Sequence, residues 1–234
     1  MERYQSKDAC SYCLGMSLTI ELLKKKPQEV LRIILSEKAY KNEQLGYLLR
    51  LCEENDIKPE YDDRLIEKLS LKENCYCIGI FKKFYTDLSG NDHILLYGFK
   101  DFGELGTILR SAISFDFHDL ILINSDIDYF DPRCIRSSMG AIFHTNIKRY
   151  ENLDSYLEEY ADNIVYPFVS KGSKELNDLK LTSPYSIIIP ERYDGLDDIY
   201  EDGYHVEHHK LEEMSMSVRS SIVLSYIYDL KRRR

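Results

Sequence analysis

The sequence predicts an α/β protein in two parts. A small α/β front domain covers residues 1–83, a linker covers 84–92, and a larger domain on a mostly parallel sheet covers 93–234. Three observations carry this. Short apolar, β-branched runs alternate with segments of helical period along nearly the whole chain, the pattern of layers that must cover one another. In the second part the apolar runs HILLYGF, HDLILIN and YSIII, with helical stretches between them, read as strands of a sheet with helices on both faces. Between the parts, Lys82, Lys83 and then Leu88-Ser89-Gly90-Asn91 make a polar, turn-forming connection.

Residues 14–26 predict a helix, because Leu14, Leu18, Ile20, Leu22 and Leu23 cluster on one side and Pro27 stops it. Residues 30–35 are a short β-branched run and predict a buried strand. Residues 42–54 form an amphipathic helix with Leu45, Leu48, Leu49 and Cys52 on its apolar side. A brief extended piece at 57–61, a short helix at 62–69 and a strand at 75–80 complete the front part. Beyond the linker, strands are predicted at 93–99, 118–124, 147–150, 163–169 and 185–189. Helices are predicted at 105–114, 132–143, 153–160 and 216–231. There is no internal repeat and no low-complexity tract.

Composition narrows the function. The 31 Lys and Arg against 40 Asp and Glu leave a net charge of −9, which argues against strong non-specific binding of nucleic acid. Local basic runs remain at 24–26, at Lys82 with Lys83, and at 231–234. No long apolar run spans a membrane and the N-terminus lacks a signal-like stretch, so the chain reads as cytoplasmic. Six cysteines include a CxxC at Cys10 and Cys13, with no second pair at zinc-ribbon spacing, and Cys75 and Cys77 share a face of the predicted strand. Reduced cysteines serving as small hydrophobes fit better than a metal site. The His205–His209 segment HVEHH would place His205, Glu207 and His209 on one strand face, but an exposed polar strand or loop is the plainer reading.

Ligands of parallel α/β sheets bind beyond the carboxyl ends of the strands, so the loops there matter most. Three stand out. In KDFGELGTILR (100–110), Gly103 and Gly106 bracket the turn into a helix, and Arg110 follows one turn beyond Gly106, placed to clamp a phosphate or orient a hydroxyl. In PERYDGLDD, Pro190 stops a strand and Gly195 offers a positive φ. In KLEEMSMSVRSSI, Ser215 is the expected N-cap of the last helix, with Ser217 and Ser220 behind it.

Taken in order, these segments resemble the SpoU/TrmH-type RNA 2′-O-methyltransferases of the SPOUT superfamily. DFGELGTILRSAISFDFHDLILI is similar to that family's first motif, an Asn-x-Gly turn before a helix bearing an Arg. SSMGAIFHTNI is similar to its Ser-x-Gly-Ala helix and the following strand. IIIPERYDGL stands where the family has Gly-x-Glu-x-x-Gly-Leu, and EMSMSVRSSIVLSYI where it has Ser-Leu-Asn-Val-Ser-Val-Ala. The front part resembles the small L30e-like, RNA-substrate-binding domain often fused ahead of it. The resemblance implies a deep trefoil knot, S-adenosylmethionine bound in the knot, a homodimer formed through it, and methylation of a ribose 2′-hydroxyl of ribosomal or transfer RNA. It implies a catalytic role for Arg110. Cofactor contacts fall to Pro190, Glu191, Gly195, Leu196, Met214, Ser215 and Ser217. RNA contacts fall to Glu104, Gly106, Lys82 and Lys83. No metal is implied.

The chain departs from that pattern. Glu104 replaces an Asn, so a group that donates and accepts becomes an acceptor only. Arg192 replaces a Glu, Pro190 a Gly and Ser215 an Asn, and HVEHH replaces an apolar adenine loop. The exchanges at 104 and 192 are of opposite sign and invite an ion pair. On these departures a second reading stands beside the enzyme: a catalytically inactive relative acting as an RNA- or protein-binding scaffold.

Overall fold

The computed structural model describes residues 3–70, 74–169, 174–192, 196, 199–200, 202–205 and 214–233. In chain order its strands are β1 (Cys10–Leu14), β2 (Val30–Leu35), β3 (Glu60–Tyr61), β4 (Cys77–Lys82), β5 (His93–Tyr97) and β6 (Asp119–Ile123). These are followed by β7 (Asn146–Tyr150), β8 (Ile164–Pro167), β9 (Lys174–Glu175), β10 (Tyr185–Pro190) and β11 (Tyr204–His205). The α-helices are α1 (Met16–Lys25), α2 (Leu45–Glu54), α3 (Asp63–Leu69), α4 (Phe102–Ser114), α5 (Pro132–Ser137), α6 (Leu153–Glu159) and α7 (Met216–Arg232). Among the described residues no helix is long and apolar enough to cross a membrane.

The chain forms two compact units. The first comprises Met1–Phe84 with Asp128–His144, the second Tyr85–Ile127 with Thr145–Arg234. The segment Asp128–His144 lies inside the stretch 93–234 that the sequence reading kept whole, yet it packs in the first unit. Ser11 Oγ donates to the Phe130 carbonyl at 2.6 Å, and the rings of Phe81, Phe84, Phe130 and Phe143 meet with centroids 5.0 to 6.4 Å apart. Four aromatic rings that would otherwise face water supply the reason.

The first unit carries a four-stranded mixed sheet in the order β1-β4-β2-β3, with β4 antiparallel to both neighbours. Its apolar face is built by α1, α2 and β2, with Leu22, Leu23, Ile33 and Leu48 at 1 % exposure or less. Strand β1 absorbs the CxxC: Cys13 is buried and its thiol is pushed up to about 12 by burial, while Cys10 is half-buried. Strand β4 begins at Cys77, so Cys75 precedes it rather than sharing its face. The predicted helix at 132–143 is broken in two. Met139 and Gly140 take φ of 50° and 90°, and a 3₁₀ turn follows at Ala141–His144.

The second unit carries a five-stranded, wholly parallel sheet in the order β7-β6-β5-β10-β8. All five residues of β6 and all six of β10 are buried, the state expected of strands covered on both faces. The chain runs outward from β5 through β6 to β7. It then reaches β8 at the opposite edge and returns with β10 between β8 and β5. The order therefore reverses between β5 and β10, and the carboxyl ends of those two strands flank the switch point at which such sheets bind ligands.

At the opposite, amino end of the sheet, polar groups are buried and matched. His93 is fully buried, with Nδ1 2.9 Å from the Tyr156 hydroxyl and Nε2 2.9 Å from the Gly90 carbonyl. Asp119 accepts from Ser89 N and Oγ, Gly90 N and Asn146 Nδ2 at 2.7 to 2.9 Å. The linker read at 84–92 is thus tied to the second sheet through Ser89 and Gly90.

Candidate ligand site at the switch point

Three segments meet the carboxyl ends of β5, β6 and β10. After β5, Gly98 turns the chain with φ +72°, its N–H donating to the Ile123 carbonyl at 2.9 Å. Asp101 then caps α4, accepting from Glu104 N at 2.8 Å. The helix starts at Phe102, earlier than predicted, so Gly103 and Gly106 lie within its first turns and do not bracket a turn. A good cap and packing against α7 offset the cost of two helical glycines. After β6, Asn124 takes φ 51° and Ser125 Oγ donates to the Phe99 carbonyl at 2.5 Å. A cavity of about 410 Å³ opens here, lined by Gly98, Lys100, Phe102, Asn124, Asp126 and Ile127.

After β10, Pro190 ends the strand in register with Tyr97, and the next N–H, of Glu191, donates to the Tyr97 carbonyl at 2.9 Å. Leu196 is fully buried in the core that includes Leu95, Ile121 and Ile188. Ser215 caps α7 through Val218 N, and its hydroxyl lies 2.9 Å from that of Ser217. Arg219, only 6 % exposed, donates from Nη2 to the Glu191 carbonyl at 2.7 Å, tying the start of α7 to the loop after β10. The next side chain, Ser220, is fully buried, and its hydroxyl has no hydrogen-bond partner among the described residues. Gly203 sits against β8 so closely that an added Cβ would lie 2.4 Å from Val169 Cγ2.

Pro190 and Glu191 follow β10 and are tied through Arg219 to the start of α7, which carries Ser215 and Ser217; Leu196 packs in the core, and Met214 is half-buried just ahead of α7. Gly195 and residues 206–209 of HVEHH lie outside the described residues, while His205 closes β11. Arg110 stands on the exposed side of α4 and makes no ion pair among the described residues. Glu104 and Arg192 are not paired with each other, so the complementary charges do not meet. Gly106 is buried within α4. Lys82 is exposed. Lys83 is committed internally: its ammonium lies 3.0 Å from Asp128, 2.7 Å from the Ser6 carbonyl and over the Tyr4 ring. At 8 % side-chain exposure it has little left to offer a phosphate.

The other basic runs are largely engaged too. Lys24 pairs with Glu21, Lys26 lies over Phe84, Lys231 over Phe117 and Tyr185, and Arg233 pairs with Asp229. Sequence reasoning singled out neither Arg219 nor Lys100. The signal for Arg219 was present, an Arg set among small residues (SVRSS) in a helix that periodicity buries.

Beyond β5 and β6 the cavity is lined by Lys100, Asp126, Asn124 and the Phe102 ring, a mixed polar and apolar set of the kind that holds a small ligand. At the start of α7 the Ser215 and Ser217 hydroxyls lie beside each other, and the buried Arg219 spends a donor on the loop after β10. Among the described residues no group of three His, Cys, Asp or Glu side chains is placed to hold a metal ion.

Comparison with known proteins bears on this site. Residues 91–203 match the sequence model of the SpoU rRNA Methylase family. A 23S rRNA (guanosine(2553)-2′-O)-methyltransferase of Bacillus subtilis is 26 % identical over 106 residues, 44 % of this chain and 42 % of the relative; the match thus spans less than half of that protein. An AdoMet-bound rRNA methyltransferase from Sinorhizobium meliloti superposes with a TM-score of 0.76 at 17 % identity, covering 95 % of this chain and 88 % of the other. The SpoU methyltransferase AviRb from Streptomyces viridochromogenes, in complex with AdoMet, superposes with a TM-score of 0.78 at 14 % identity, covering 97 % and 92 %. The α/β fold with its parallel sheet is that of the SpoU methyltransferase structures.

Proposed function

We propose that this chain, whose residues 91–203 belong to the SpoU rRNA Methylase family, is an S-adenosylmethionine-dependent RNA ribose 2′-O-methyltransferase. The observation that carries the reading is the switch point itself. Three of the family's segments lie in the unit that carries it: α4 follows β5, and the loop after β10 is tied to the start of α7 by the Arg219–Glu191 hydrogen bond. Pro190, Glu191, Gly195, Leu196, Met214, Ser215 and Ser217 would hold the cofactor, the hydroxyls at the start of α7 taking polar edges. Bound there, S-adenosylmethionine supplies an electrophilic methyl group.

The chain's own contribution is positioning and charge. As a guanidinium, Arg110 serves as a cation and not as a base. Set beside the ribose hydroxyl, it lowers the cost of the negative charge that develops on the oxygen. Arg219 holds the Glu191 carbonyl against α7 and so fixes the loop that faces the cofactor. Glu104 and Gly106 near the start of α4, with Lys82, are assigned to the RNA side. The reading extends to a deep trefoil knot, a homodimer through it, an L30e-like front domain and a cytoplasmic setting. Ribosomal or transfer RNA is the substrate class.

The test is transfer from isotopically labelled S-adenosylmethionine to ribosomal and transfer RNA, with the product read as a ribose-methylated nucleoside. Arg110→Ala should lower the rate by about 10²- to 10³-fold, the loss typical of one donor to a developing oxyanion. Its stability should stay within about 0.5 kcal/mol of the parent, because the side chain is exposed. Methylation at the parent rate by Arg110→Ala removes Arg110 from the chemistry. Absence of labelled product from every RNA refutes the activity.

A further inference from the structure

The first unit, which carries none of the residues assigned to the switch point, holds a second cleft. Its volume is about 550 Å³, within the range of small-ligand sites. Tyr4, Tyr12 and Leu69 contribute its aromatic and apolar wall, and Arg3, Arg133 and Arg136 line it as well. In a chain of net charge −9, three arginines around one cleft are a local inversion of sign.

The charges do not cancel. Among the described lining residues Asp131 is the one acid, and Arg133 takes it with both prongs, Nε to Oδ1 at 2.9 Å and Nη2 to Oδ2 at 2.8 Å. Arg3 and Arg136 are exposed and make no ion pair among the described residues. Burial holds the Cys75 thiol above its ordinary range, so it adds no negative charge. The cleft thus presents two uncompensated guanidinium groups, the side chain best matched to a phosphate.

The wall is pre-ordered. The Tyr4 hydroxyl is bonded to Asp128, its ring lies 4.8 Å beneath the Lys83 ammonium, and its edge meets Tyr12 at 83° with centroids 6.5 Å apart. A ring fixed on three sides loses little freedom when a planar group packs on it. An aromatic and aliphatic wall beside unpaired guanidiniums is the chemistry of a base with its phosphate.

We propose that this cleft is a nucleotide subsite, taking one base and its phosphate from the single-stranded part of the substrate RNA. The proposal rests on the reading of the chain as an RNA-modifying enzyme. The same chemistry could be met by a free mononucleotide, and the experiment separates the two.

The intact chain is titrated with a short labelled single-stranded RNA, by anisotropy over a series of salt concentrations, and with AMP and inorganic phosphate by calorimetry. Arg3→Ala combined with Arg136→Ala should weaken RNA binding roughly tenfold. It should also flatten the log–log salt slope by about 1.4, two single-strand phosphate contacts at roughly 0.7 each. Arg50→Ala, an exposed cation elsewhere in the same unit, should leave both within error, and all variants should melt with the parent. AMP that competes with RNA, where phosphate competes poorly, supports a subsite for base and phosphate together. AMP bound and lost in the double variant, with RNA unaffected, makes the occupant a free mononucleotide. Unchanged affinity and slope in the double variant, or no binding of either probe, overturns the proposal. Methyl transfer by the parent is read separately. Transfer intact with an indifferent double variant sinks the subsite alone, and binding lost in the double variant with no transfer by the parent sinks the methyltransferase reading alone.

Discussion

The buried His93 should make the second unit sensitive to mild acid. The imidazole is fully buried, between the Tyr156 hydroxyl and the Gly90 carbonyl, and burial holds its pKa below the ordinary histidine value. In the unfolded chain it titrates near 6.5. Above that value neither state holds the proton and His93 contributes no pH dependence. As pH falls below about 6.5, the unfolded state takes up a proton that the folded state refuses. Stability then drops by up to about 1.4 kcal/mol per pH unit until the folded pKa is reached. For a chain of this size, 1 kcal/mol moves the melting temperature by about 2–4 °C, so one unit corresponds to about 3–6 °C.

The carboxylates held below their usual range, Glu21 beside His144 and Lys24 and Glu159 beside Lys148, act in a different window. Their stabilisation is present above the unfolded carboxylate value of about 4.3 and lost only below it. Of these three groups, only His93 acts between about pH 5 and 6.5. Urea unfolding followed by circular dichroism, for the parent and for His93→Gln at several pH values, isolates it. The stability difference between the two should be flat above about pH 6.5 and shift in the variant's favour below. Parallel pH profiles would refute the assignment.

Two further outcomes follow from packing. Arg219→Ala removes a charge-assisted bond to a carbonyl in a buried setting, so it should cost about 1.5–3 kcal/mol in melting experiments and raise the KM for S-adenosylmethionine more than it lowers kcat; an unaltered melt and KM would show that the tie is idle. Gly203→Ala forces a Cβ to 2.4 Å from Val169 Cγ2 and 3.0 Å from the Pro167 carbonyl, and a β-branched side chain cannot swing aside, so stability should fall by about 1–3 kcal/mol. A melt matching the parent removes that close approach from the account.

Much of the fold was legible because burial on both faces writes itself as uninterrupted apolar sequence. Strand β2 was bounded correctly, and β5, β6 and β10 to within two residues at either end. Strand β1 was missed. CSYCL mixes small, polar and aromatic residues with no period, and its state is decided by antiparallel pairing with β4, some 65 residues away. The start of α4 was misplaced because Gly103 and Gly106 outweighed Asp101 in a local reading, whereas the cap decides the helix start. The break at Met139 and Gly140 carried a signal, the glycine, that the apolar residues around it masked. At the site, motif order pointed to the loop after β10 and to the start of α7, two segments that the Arg219–Glu191 hydrogen bond ties together. Arg219 was overlooked because its task, reaching a main-chain carbonyl 28 residues earlier, has no local signature. The commitment of Lys83 to Asp128 was invisible for the same reason.

The passage of Asp128–His144 through the first unit bears on how such a protein can be cut and recombined. A front domain joined by one linker is a cassette that a gene can gain, lose or exchange in a single event. Here the chain crosses between the units three times, after Phe84, after Ile127 and after His144. The connection from β6 to β7 is an indispensable piece of the other body. Excision of residues 1–84 would not release an intact second unit with its own connections. It would leave Phe130 and Phe143 stripped of Phe81 and Phe84, an aromatic surface without its complement. The two halves are therefore bound to diverge together, as one heritable module.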